Sequence, residues 1–127
     1  MTNRPTKLDS QADSNISRNQ ETPAMTGPHI DFTRFFSYAE LRKHLQVLAR
    51  WQPKLATLHR IGRSPAGRDV LLIEINNPAS GPSASKPAYL VHGNVHASEV
   101  SGCTSALYLA HYLLANAEKD ETVAALL

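Results

Sequence analysis

Tyr89-Leu-Val91 is a continuous apolar run, Gly93-Asn94 interrupts it, and a helical pattern follows within a few residues. A strand that feeds straight into a helix belongs to layered α/β architectures. Ala88 to Val91 lacks the polar alternation of a half-solvated strand. The run therefore predicts a short strand covered on both faces, in a mostly parallel sheet. From about Ser98 to Ala117, Ala106, Leu107, Leu109, Ala110, Leu113 and Leu114 recur at helical spacing and define a broad apolar face. This order places His96 and Glu99 where a buried strand meets a helix start, a common position for active sites in α/β folds.

The upstream sequence supplies the other elements. Ser37-Tyr-Ala-Glu40 is a capping box, and Tyr38, Leu41, Leu45 and Leu48 follow at spacings of three and four. They predict an amphipathic helix ending near Trp51-Gln-Pro53, its start stapled by Phe35 and Phe36. Leu55 to Ile61 and Val70 to Ile75 are aliphatic and β-branched, and the turn signal Ser64-Pro-Ala-Gly67 lies between them. Two adjacent antiparallel strands are expected. Pro78 to Pro87 reads as a surface loop, and Asp120 to Leu127 begins another helix.

Residues 1–28 are polar and carry almost no large apolar side chains, which predicts a disordered tail ahead of a domain over 29–127. Order is expected to begin near Met25, leaving the natural start open between Met1 and Met25. Helix, two strands, loop, strand, helix is the front half of an α/β layer structure. On its own that set leaves a sheet edge uncovered.

Composition excludes several classes. The chain has 127 residues, 42% hydrophobic and 19% charged, which suits one compact globular unit. A formal net charge of +2, without a basic stripe, argues against nucleic acid or an anionic membrane surface as partner. One cysteine, Cys103, excludes an internal disulfide framework. No apolar run approaches the roughly 20 residues of a membrane span, and the N-terminus lacks the apolar core of a secretory signal. A cytoplasmic location is expected. Oligomeric state is not set by these features.

Zinc accepts neutral imidazole nitrogen and carboxylate oxygen, and catalytic zinc sites use three protein ligands with one position open to water. His96 and Glu99 converge on one ion if the first leaves a strand end and the second sits in the first helical turn. Gly93 and Asn94 permit the sharp turn between strand and helix, and the helix dipole favours Glu99. By itself His-x-x-Glu is a common pattern, and a glutamate in a first helical turn is ordinarily a capping charge. His92 and His96 stand four apart, but Gly93-Asn-Val95 between them argues against a helix. His92 instead closes the strand and supports the site from behind or faces the cleft. Cys103 reads as a small buried packing residue and His111 as a partly buried helix residue. His44 reads as a surface residue, while His29 and His59 carry no signal. Arg63 and Arg68 flank the turn as solvated charges, or orient an anionic substrate.

Taken together, Ile61-Gly-Arg-Ser-Pro-Ala-Gly-Arg-Asp-Val70 and Gly93-Asn-Val-His-Ala-Ser-Glu99 resemble the opening of the zinc carboxypeptidases. In that family a Gly-x-Ser-x-x-Gly-Arg hairpin precedes a strand and a Gly-x-His-x-x-Glu zinc motif. The likeness runs from about Phe35 to Leu127. It implies a three-layer α/β/α sandwich around a mixed sheet, with His96 and Glu99 as the first two zinc ligands. It also implies hydrolysis of a C-terminal peptide bond by a zinc-activated water.

Two departures widen the substrate question. Ser98 stands where arginine is common in the digestive-type enzymes, and Val100 where a bulkier residue is common. Both leave room for a related deacylase acting on N-acyl amino acids, beside a peptide substrate. The resemblance places the third ligand, the substrate-binding arginine, a tyrosine and the general-base glutamate beyond Leu127. A truncated domain is therefore expected, binding zinc weakly and inactive alone. A non-catalytic remnant or interaction domain is the reading from another class.

Overall fold

The computed structural model describes residues 27–127. Residues 1–26, including Met25, lie outside the described residues, as do the tail and start expectations attached to them. Helix α1 spans Tyr38–Trp51, and its N-terminus is the expected capping box. Ser37 Oγ accepts from the Glu40 N–H at 3.4 Å, and Glu40 Oε2 accepts from the Ser37 N–H at 2.8 Å. Each satisfies a backbone donor that the first helical turn leaves free. Only one of the two phenylalanines staples the helix: Phe36 is buried in the core, whereas Phe35 is 60% exposed. The helix stops before Pro53, which has no N–H to donate and disfavours helical backbone at Gln52.

Strands β1 (Ala56–Arg63) and β2 (Asp69–Ile75) form the expected antiparallel pair. Ser64 and Gly67 close the turn, the Gly67 N–H donating to the Ser64 carbonyl at 2.9 Å with Gly67 at φ 75°. Alternation sorts the side chains: Ala56, Ile73 and Ile75 join the core, and His59 meets Glu74 at 2.9 Å across the strands. A bulge between Arg60 and Gly62 leaves Ile61 unpaired and 63% exposed. Tyr38 ties α1 to the hairpin by donating its hydroxyl to the Asp69 carbonyl at 3.1 Å.

The loop from Pro78 to Pro87 contains two short 3-10 turns, Pro78–Ser80 and Ser83–Ser85. Lys86 holds it down: its ammonium shares three N–H donors among Asn76 Oδ1, the Asn77 carbonyl, Ser80 Oγ and the Leu127 carbonyl, all within 2.8 Å.

Here the structure departs from expectation. Ala88 to Val91 has no regular secondary structure and belongs to no sheet, and among the described residues the sheet has two strands, β1 and β2. Tyr89 is 94% exposed and Leu90 70%, the reverse of a strand covered on both faces. A strand exists through its ladder of hydrogen bonds, and no described segment offers this run a partner. An apolar run identifies the side chains of a buried strand without identifying its neighbours.

Helix α2 covers Ser101–Asn116, starting three residues later than the periodicity suggested, and α3 covers Glu121–Leu126. Asp120 caps α3 by accepting from the Thr122 and Val123 N–H groups. The helices cover the hairpin: α1 packs on β1, β2 and α2, and α2 also reaches β2 and α3. Leu48, Leu107, Ala110 and Leu114 meet Ile30, Phe36 and Ala56 in one core. His111 is more deeply placed than its sequence context indicates, at 2% exposure. No helix among the described residues is long and apolar enough to cross a membrane.

Candidate metal centre

His96 and Glu99 do come together, through a tight turn. The Glu99 N–H donates to the His96 carbonyl at 3.0 Å, and the Gly102 N–H donates to the Glu99 carbonyl at 3.0 Å. The first and fourth residues of such a turn lie side by side. Accordingly His96 Nδ1 stands 3.0 Å from Glu99 Oε1. Glu99 thus sits two residues before α2, and the expectation that it occupies the first helical turn is corrected: that turn has no acidic residue.

Behind this turn, two backbones touch. A Cβ at Gly93 would collide with main-chain atoms of Gly102 and Cys103, so close approach, and not a positive φ, requires glycine here. Gly102 is tight in return, a Cβ there meeting Asn94 N and Gly93 Cα at 3.1 Å. Asn94 adopts φ 59°, a left-handed conformation that asparagine tolerates better than most residues. Its Oδ1 accepts from the Cys103 N–H at 2.9 Å. Val100 gives α2 no side-chain cap, and Asn94 performs that service from outside the helix. The turn propensity of Asn94 was legible in the sequence. Its capping role was not, because the capped residue lies nine positions away.

The pair is open to solvent, with side-chain exposures of 73% for His96 and 61% for Glu99. Imidazole nitrogen and carboxylate oxygen converging at one point suit a divalent ion such as zinc. Two donors do not complete its coordination, and no group of three or more His, Cys, Asp or Glu is assembled for a metal among the described residues. His92, expected to support the pair or face a cleft, is exposed and has no side-chain partner among the described residues. Cys103 is half-buried, its thiol 3.4 Å from the Val100 carbonyl. His44 is half-buried against Phe36, and burial lowers its pKa. At the hairpin, Arg60 and Arg63 both approach Asp69 Oδ1, at 3.8 and 3.5 Å, and Arg68 lies over the Tyr38 ring.

A family profile described as "Zinc carboxypeptidase" matches residues 41–127. The chain belongs to this family. It is 36% identical to carboxypeptidase Z of Homo sapiens over 84 residues, covering 65% of this chain and 13% of that protein. It is 30% identical to carboxypeptidase D of Anas platyrhynchos over 108 residues, 81% of this chain and 8% of that protein. Carboxypeptidase B of Astacus astacus is 28% identical over 87 residues, 68% of this chain and 27% of that protein. The chain therefore spans a small part of the relatives it matches. No solved structure matches it.

Proposed function

We propose that this chain carries the first two zinc ligands, His96 and Glu99, of a metallocarboxypeptidase-like hydrolase that removes C-terminal residues from peptides. The observation supporting this is the 3.0 Å approach of His96 Nδ1 to Glu99 Oε1 in a turn backed by Gly93 and Asn94, inside the region matched by the family profile. In this reading the described elements are one edge of a three-layer α/β/α sandwich.

His96 offers Nδ1, and Glu99 offers a carboxylate that offsets the ion's charge. When bound, zinc polarises the scissile carbonyl and lowers the pKa of its water. The turn brings the two side chains together, so that less ordering would remain when an ion arrives. A third ligand is needed, and none of the described residues supplies it. The chain alone is accordingly a weak zinc binder and inactive as a peptidase. Its substrate in the intact site is a peptide with a free C-terminus, in line with the carboxypeptidase names of its relatives.

Calorimetric zinc titration of the chain, His96→Ala and Glu99→Gln tests this. Each substitution is expected to weaken binding at least about tenfold. Equal affinity in all three would overturn the assignment and favour an interaction domain. An intact protein containing this segment, assayed with peptide and N-acyl amino acid substrates, tests the reaction. Turnover of N-acyl amino acids alone would make it a deacylase.

A further inference from the structure

The imidazole of His111 lies between two aromatic rings, Phe32 at 5.8 Å and Trp51 at 5.7 Å between centroids, tilted by 41° and 37°. It is 2% exposed, and neither Nδ1 nor Nε2 makes a hydrogen bond of good geometry, the Pro28 carbonyl lying near enough to favour the protonated ring only in part. An unpartnered buried ring is tolerable while neutral and strongly disfavoured once charged. The elements packed against it bring no compensating acid. On the N-terminal segment, Asp31 is engaged by Thr33 and Arg34, and Arg34 in turn by Glu40. The acidic and basic side chains of α1 are Glu40, Arg42, Lys43, His44 and Arg50, its one acid being engaged by Arg34 and Ser37, while α2 contributes Tyr108 and Tyr112.

We propose that His111 is a proton-operated latch: when its ring takes up a proton, the Phe32 segment is released from the face of α2 that carries Tyr108 and His111. Phe32 is the part that can leave. It belongs to an irregular segment whose Phe32 ring rests on Tyr108 and His111 between two core anchors, Ile30 and Phe36, whereas Trp51 and His111 are fixed in helices. Rotation of the segment opens His111 to water, which solvates the new charge. Burial holds the ring's pKa below its ordinary 6.5, partly offset by the nearby Pro28 carbonyl, so release falls on the acid side of neutrality.

The chain carries its own reporter, because Trp51 is its single tryptophan. Emission and amide exchange of the full chain are followed from about pH 8 to about pH 5, with His111→Phe and His111→Gln beside the wild type. Expected in the wild type are a red shift of Trp51 emission and faster exchange over residues 29–36, sharing one midpoint below pH 6.5. Exchange in the β1–β2 hairpin stays unchanged. Both variants lack the transition, and His29→Gln and His44→Gln keep it. Three results would overturn the proposal: the transition persisting in His111→Gln, quenching without faster exchange, or hairpin exchange accelerating in step with residues 29–36. His111→Gln retains a polar side chain, so the comparison survives if the phenylalanine variant misfolds.

Discussion

Asn94 Oδ1 accepts a hydrogen bond from the backbone N–H of Cys103 at 2.9 Å, so a residue ahead of the His96–Glu99 turn caps the helix beyond it. Asn94→Ala removes the cap and places a Cβ residue with less tolerance at φ 59°. A loss of about 1–3 kcal/mol is expected, the cap and the left-handed backbone each contributing about 1. Asn94→Gly relieves the backbone and loses the cap alone, so it should fall between. Urea denaturation of the three proteins measures the order. A glycine variant no more stable than alanine would show that the backbone conformation carries no cost.

Gly93→Ala acts on the site more than on the fold. The new Cβ meets main-chain atoms of Gly102 and Cys103, which cannot turn aside as a side chain would. The turn carrying His96 and Glu99 must shift away from α2. Zinc affinity is expected to fall about tenfold or more while helix content, read by far-UV circular dichroism, stays near wild type. Unchanged affinity would mean that the two ligand positions tolerate displacement.

Leucines separate the true core from the apolar run. Leu48 is fully buried, and Leu48→Ala should cost about 2–5 kcal/mol. Leu90 is 70% exposed, and Leu90→Ala should stay within about 0.5 kcal/mol. Equal losses would show that residues 88–91 are covered in solution.

Acid stability follows from Glu40. The Arg34 guanidinium, then the Ser37 N–H and hydroxyl, hold its carboxyl at about 2 against an ordinary 4.5. The unfolded chain takes up this proton first, so the folded state loses the contribution as pH falls from 4.5 towards 2 and keeps it in full above. Glu40→Gln should flatten the stability profile in that window without adding a new transition. A variant profile as steep as wild type would rule Glu40 out as its source.

Local signals translated best. The capping box at Ser37, the stripe through Leu48, the turn at Ser64 to Gly67 and the adjacency of His96 and Glu99 all depend on residues a few positions apart, and each is present. The failures were non-local. Val91 looked buried because its run is apolar, yet burial depends on which strand lies alongside, and none of the described segments does. His111 looked half-buried because its helix is amphipathic. Its depth comes from Phe32 and Trp51, which reach it from elsewhere in the chain. The start of α2 falls three residues beyond Ser98 because Asn94 sets the first turn from outside the helix, at a distance that local spacing does not reveal.

The contact between Gly93 and Gly102 has no side chains in it, and that decides how the candidate centre moves. Nothing flexible lies between the two backbones to absorb a shift, so the 93–99 loop cannot slide along α2 and must travel with it as one rigid lever. Any tilt or translation of α2 is therefore passed on to the backbone that carries His96 and Glu99.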